Sequence, residues 1–230
     1  MVALTPDELE AIALSLKVAG WATLGSLAPA IAVGWLLARR DFPGRLVLNS
    51  VVHLPLVMPP VVTGYLLLLA FGRRGPIGAF LEQAFGVVLA FRWTGAALAC
   101  AVMGFPLMVR AIRLGFEAID PRLEQAGATL GASPAWVFAT VTLPLAVPGI
   151  IAGAVLGFAK ALGEFGATIT FVSNIPGETQ TIALAIYAYT QSPDGDAGAL
   201  RLTLIAVAIS LVALAVSEVL ARRAARGSEA

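Results

Sequence analysis

Two ionisable residues fall inside an apolar stretch, where charge is expensive: Lys160 and Glu164, four positions apart in the run Pro144–Phe171. At that spacing both lie on one face of a helix, and each can neutralise the other. Two readings stand side by side, a structural ion pair or charged groups beside a solute path. Thr168 and Thr170 in the same run, and Ser173 just beyond it, offer hydroxyls to a path or gate; Gly157, Gly163 and Gly166 allow close helix approach. No stack of carboxylates runs along the apolar segments, so a proton relay has little support. The single histidine, His53, has no partner at helical spacing and reads as a packing or interfacial residue. The single cysteine, Cys100, excludes an internal disulfide or a thiolate cluster. Pro193-Asp194-Gly195-Asp196 has the look of an acidic catalytic motif but lies in a polar turn. No G-x-x-x-x-G-K-[ST] occurs, and neither Lys17 nor Lys160 follows such a loop, so ATP hydrolysis through that motif is excluded. The expectation is a chain that is not an enzyme and carries no cofactor or metal of its own.

The elements that must position these residues are long and apolar. Of 230 residues, 59% are hydrophobic and 13% charged, and mean hydropathy is +0.88. A water-soluble domain cannot bury that fraction, whereas a bundle of membrane-spanning helices can. The 15 basic and 14 acidic residues nearly cancel, which leaves no electrostatic footprint for nucleic acid. The opening MVALTPDELE is acidic where a signal peptide is basic, so no cleavage is expected.

Thr5-Pro6-Asp7-Glu8 has the cap, proline and acidic turn of a helix start, and Leu9, Ile12, Ala13 and Leu16 predict a segment lying in the membrane interface. Val18–Ala38 is uncharged, with Trp21 and Trp35 near its two ends, a first span. Leu46–Gly72 is a second, and Pro55, Pro59 and Pro60 require it to kink or unwind, either as plain structure or as a mobile element beside a path. Trp93–Val109 is a third span, short unless Arg110 snorkels. Pro144–Phe171 is the fourth and Leu202–Leu220 the last, with a short helix at Ile182–Tyr189 between them. The fold class is therefore an all-α integral membrane protein, a polytopic bundle of about five spans.

Asp120–Pro144 breaks this pattern with helix grammar of its own. Asp120 can cap a helix that starts at Pro121, Gly131 can end it in the left-handed conformation, and Ser133-Pro134 repeats the start. Leu143-Pro144 then closes a second short helix, giving a helix-turn-helix. Arg39, Arg40, Arg45, Arg110, Arg113, Arg122, Arg222, Arg223 and Arg226 gather on this side of the predicted spans; Lys17, Arg73, Arg74, Arg92 and Arg201 lie opposite. The positive-inside rule makes the first group cytoplasmic, with the N-terminus outside and the C-terminus inside.

Glu124-Gln125-Ala126, then Gly131 seven residues after the glutamate, then Val141-x-Leu143-Pro144, resembles the EAA loop of importer-type ABC transporter permeases. Gly127 stands where alanine is usual and Val141 where isoleucine is common; the glycine loosens the helix by up to about 1 kcal/mol. His53–Leu68, Gly72-Arg73-Arg74-Gly75, Met103–Arg113 and Leu162–Ile182 are similar to molybdate permeases of the molybdate/tungstate–sulfate group. The resemblance covers nearly the whole chain. It implies one type I permease domain over residues 1–230, with a cytoplasmic coupling loop at 117–144, in a bacterial inner membrane. It also implies a homodimer, two cytoplasmic ATPase subunits that bind ATP and Mg, and a periplasmic molybdate-binding protein. Glu124, Gln125, Ala126, Gly127, Gly131, Leu143 and Pro144 would couple to the ATPase, Glu124 as the polar contact. Trp136 and Phe138 would pack beneath the coupling helix or touch the ATPase.

The nearest alternative is a sulfate or thiosulfate permease, which differs in substrate only. A secondary transporter or channel could share kinked spans and a buried ion pair, but it leaves the EAA pattern without a role. An intramembrane hydrolase is more distant still, with one histidine available to it.

Overall fold

The computed structural model describes residues 4–227, all helical where regular. The helices are α1 (Pro6–Arg39), α2 (Arg45–Val57), α3 (Pro60–Phe71), α4 (Pro76–Phe85), α5 (Trp93–Glu117), α6 (Pro121–Thr129), α7 (Pro134–Val137), α8 (Leu143–Leu162), α9 (Gly166–Val172), α10 (Ile182–Thr190) and α11 (Asp196–Gly227). A π-helical turn, Phe138–Thr142, joins α7 to α8.

α5 is the central post, burying Ala96, Ala99, Cys100, Met103, Met108, Val109, Ile112 and Phe116 between α1 and α8. Small residues set its distance from α8: a Cβ on Gly149 would lie 2.7 Å from Gly115 Cα. Among the described residues, four helices are long and apolar enough to cross a bilayer, or five if the pair α2–α3, bent by 113°, is one broken span. The ends of that pair lie at opposite ends of the bundle, as one broken span requires. α2 begins beside the end of α1, where Arg45 Nη2 donates to Leu37 O at 2.7 Å. α3 ends beside the start of α5, where Leu67, Leu68 and Phe71 pack with Ala90 and Trp93.

Several expectations are corrected. The N-terminal residues form no separate interfacial segment; α1 is one helix of 34 residues. Its first turns are held on α10 and α11, with Ala11 packed against Ile182, Ala185 and Leu202, Ser15 Oγ accepting from Ile182 N at 2.7 Å, and Arg201 donating to Glu8 Oε1 at 2.7 and 3.1 Å. The third span does not stop at Val109 but runs through Arg110 and Arg113 to Glu117, because Arg113 pairs with Glu117 at 2.7 Å along the helix. The second span breaks at Met58-Pro59, and Pro55 sits inside α2 without ending it. The fourth breaks too: α8 ends at Leu162, and Gly163, Glu164 and Phe165 separate it from α9. The side chains of Arg222, Arg223 and Arg226 lie outside the described residues.

The two broken spans meet. α3 lies along α9, where a Cβ on Gly64 would stand 2.9 Å from both Ala167 Cα and Thr170 Cβ, and one on Gly166 would stand 2.8 Å from Pro60 Cβ. Backbone cannot yield as a flexible side chain would, so Gly64→Ala is expected to cost about 1–3 kcal/mol by forcing the helices apart. Thermal unfolding of the detergent-solubilised protein measures this; Gly20→Ala, with open space around its Cβ, is the control.

Candidate functional site

Two places stand out, the loop at one end of the bundle and the meeting of the broken spans within it. In the loop, each expected cap is present. Asp120 Oδ1 accepts from Arg122 N at 2.9 Å, Gly131 adopts φ 82°, and Ser133 Oγ accepts from Trp136 N at 3.3 Å. α6 buries none of its residues, as expected of an element that awaits a partner. Gln125 and Ala126 are exposed, and Leu130 at the tip is 88% exposed. Gly127 faces inward, where a Cβ would lie 3.1 Å from Val137 Cγ2, so the glycine in place of alanine lets α6 sit close on α7.

Leu143-Pro144 does not close a helix. The chain passes from α7 through the π-turn straight into α8, with Leu143 N bonding to Phe138 O. The wider π-turn accommodates Pro144, whose ring would clash with a carbonyl four residues back in a regular helix. The loop is thus continuous with the fourth span. Of the two aromatics, Phe138 packs, edge-on to Trp35 at 5.5 Å and stacked with Phe116 at 6.4 Å, while Trp136 stays 63% exposed.

Glu124 points back into its own chain. Its Oε1 accepts from Thr142 Oγ1 at 2.8 Å and lies 3.4 Å from Arg39 Nη2, which also donates to Ile119 O at 3.0 Å. A cleft of about 450 Å³ opens here between Trp35, Arg39, Glu124, Ala128, Phe138 and Thr142. Sequence reasoning missed Arg39 and Thr142, because nothing local ties the end of the first span to the loop.

Within the bundle, Lys160 and Glu164 do pair, Nζ to Oε2 at 2.6 Å, but not on one continuous helix. Lys160 lies in the last turn of α8, and Glu164 stands in the break, where its Oε1 accepts from Ala167 N at 2.9 Å in the first turn of α9. The Glu164 side chain is 1% exposed and that of Lys160 29%, so the carboxylate is buried and the ammonium half reaches out. The hydroxyls are turned inward: Thr168, fully buried, donates to Phe165 O at 2.9 Å, and Thr170 donates to Gly166 O at 2.9 Å.

Ser173 ends α9 at φ 65°, ψ −163°, a region almost reserved for glycine. The loop beyond it holds the strain: buried Thr179 Oγ1 donates to Ser173 O at 3.3 Å and accepts from Ile175 N at 2.9 Å. Ser173→Gly is expected to stabilise the protein by about 1 kcal/mol, and Ser173→Val to destabilise it by more than that, read from thermal midpoints.

The sequence model of the family described as binding-protein-dependent transport system inner membrane component matches residues 30–226. The molybdenum transport system permease protein ModB of Escherichia coli (strain K12) is 59% identical over 219 residues, covering 95% of this chain and 96% of that protein. ModB of Haemophilus influenzae is 58% identical, covering 94% of each chain. The sulfate transport system permease protein CysT of Salmonella typhimurium is 32% identical, covering 96% of this chain and 79% of that protein. Among solved structures, the MetNI methionine ABC transporter in inward-facing form aligns with TM-score 0.75 at 14% identity, covering 94% of this chain and 95% of that one. A bacterial ABC transporter for import of alginate gives 0.74 at 17%, covering 96% and 80%. These two establish the fold.

Proposed function

The chain belongs to the binding-protein-dependent transport system inner membrane component family, and from that premise we infer that it is the permease subunit of an ATP-driven importer of molybdate. The observation that carries this reading is the 59% identity along 95% of the chain to a molybdenum transport permease. It is a multi-pass inner-membrane transport subunit rather than an enzyme. Hydrolysis, with ATP and Mg, resides on two ATPase subunits docked on α6 and its flanking turns. Gln125, Ala126 and Leu130 offer them an exposed face, and Gly131 sets the turn.

The chain acts as a homodimer whose copies enclose the path, since five passes form too thin a wall to enclose one. A periplasmic binding protein delivers the oxyanion and supplies selectivity, which suits spans that carry few cationic side chains, Lys160 among them. Arg39, Arg40, Arg45, Arg110, Arg113 and Arg122 mark the cytoplasmic end; Arg73, Arg74 and Arg92 mark the periplasmic end, with the N-terminus outside and the C-terminus inside. Lys160, Glu164, Thr168, Thr170 and Ser173, with the breaks at Pro59-Pro60 and Gly163–Phe165, form a gate between the broken spans. ATP-driven closure of the ATPases rocks the two copies between inward- and outward-facing states.

The test is reconstitution in proteoliposomes with the co-purifying ATPase and binding protein, offering molybdate, tungstate and sulfate in turn. ATP-dependent molybdate uptake is expected. Uptake of sulfate alone would favour the sulfate reading, and uptake that persists on ATP depletion with ion gradients clamped would favour a secondary transporter.

A further inference from the structure

α6 stands clear of the bundle, and its main helix contacts are with α7 and the π-turn. Toward the first span it is tied by side chains, through one carboxylate oxygen. Thr142, 2% exposed, donates to Glu124 Oε1 from the π-turn, and Arg39 reaches the same oxygen from the last turn of α1. The Arg39 and Glu124 side chains are 14% and 27% exposed, so solvent screens this pair less than an ion pair on an open surface. Arg39 Nη2 also holds Ile119 O, the residue before the α6 cap, so one guanidinium gathers the ends of α1 and α5 and the body of α6.

We propose that Arg39 is a positioning residue for ATP coupling: through Glu124 it ties the coupling helix to the inner end of the first span, so that a displacement of α6 moves α1 together with α8. This rests on the reading that α6 docks an ATPase. The tie continues past α1. The carbonyl of Leu37, two residues before Arg39, accepts from Arg45 Nη2 at the start of α2, which leads to the break at Pro59-Pro60. Trp35 edge-on to Phe138, with Arg40 5.6 Å above the Trp35 ring, runs a second and apolar link beside the polar one. Thr142 and Arg39 both meet Glu124 at Oε1, which leaves Oε2 to meet a partner while the tie is held.

The test uses the full transporter carrying Arg39→Gln, Arg39→Lys, Glu124→Gln or the double Arg39→Gln/Glu124→Gln. Three quantities are read: recovery of the ATPase with the permease, molybdate taken up per ATP hydrolysed, and amide exchange of residues 121–129. With Arg39→Gln the ATPase is recovered at the unaltered stoichiometry while molybdate per ATP falls about tenfold, the scale of one charge-assisted contact. Arg39→Lys, which keeps the charge, loses about threefold. The double variant is no worse than the poorer single, because both remove the same tie. Amide exchange over 121–129 accelerates in either single variant, even in the permease alone. An unchanged uptake ratio in Arg39→Gln, additive losses in the double, or unchanged exchange would overturn the proposal. Absence of ATP-driven molybdate uptake in the unaltered transporter would instead overturn the function on which it rests, and accelerated exchange would then report the tie separately.

Discussion

Lys160→Met is expected to destabilise the permease by about 3 kcal/mol, which lowers the thermal midpoint by about 6–12 °C. The reason lies in the asymmetry of the pair. Glu164 is 1% exposed at a helix break, and its Oε2 has Lys160 as its recorded partner. Removing the ammonium leaves a buried carboxylate with the Ala167 amide alone, and an uncompensated buried charge costs far more than a neutral polar group. The 29% exposure of Lys160 keeps the expectation at the low end of the range for buried pairs. Lys160→Met/Glu164→Gln should recover most of the loss. The glutamine carbonyl still accepts from Ala167, and no charge remains unpaired. A double variant as unstable as Lys160→Met would show that packing at the α8–α9 break, rather than charge, sets the cost.

That break also marks the boundary of what the sequence alone could reveal. Capping is local chemistry, so Asp120-Pro121, Gly131 and Ser133-Pro134 announced α6 and α7, and the structure has each cap in place. Uncharged runs announced the spans for the same reason, since length and composition decide whether a helix suits a bilayer. The break at Pro59-Pro60 was legible because proline removes a donor wherever it stands, while Pro55 and Pro148 show that a helix can absorb one. The break at Glu164 was not, because a carboxylate four residues after a lysine reads as a helical pair. Only the folded chain shows that carboxylate, still paired with Lys160, also accepting from Ala167 N in the first turn of α9.

Pairings between distant segments were out of reach altogether. Glu8 and Arg201 are 193 positions apart, and neither has a local feature that names the other. The same holds for the seating of Gly64 against Ala167 and Gly166 against Pro60. Each glycine was visible as a small residue, but which helix approaches it is a property of the whole topology. Thr168, Thr170 and Ser173 could be named for a path or gate from sequence, but that α3 is the helix beside them shows only in the fold.

Glu124→Lys is expected to lower ATP-driven molybdate uptake by at least about 100-fold, equivalent to about 2.7 kcal/mol of coupling, while the permease still inserts in the membrane. Three effects act together at that position. The new ammonium meets the Arg39 guanidinium where the carboxylate now lies 3.4 Å away, replacing attraction with repulsion. Thr142, 2% exposed, loses the acceptor for its hydroxyl. An acidic residue in the first turn of α6, favourable to the helix dipole, becomes a basic one. ATPase recovery should fall as well, since a displaced α6 no longer presents Gln125 and Ala126 in register. Gly131→Asp is the graded comparison: it also disturbs the loop, but at φ 82° with open space around the added Cβ an aspartate costs about 1 kcal/mol. Uptake and ATPase recovery should therefore fall less in Gly131→Asp than in Glu124→Lys. The reverse order would mean that the turn geometry, not the Glu124 carboxylate, carries the force from the ATPase to the spans.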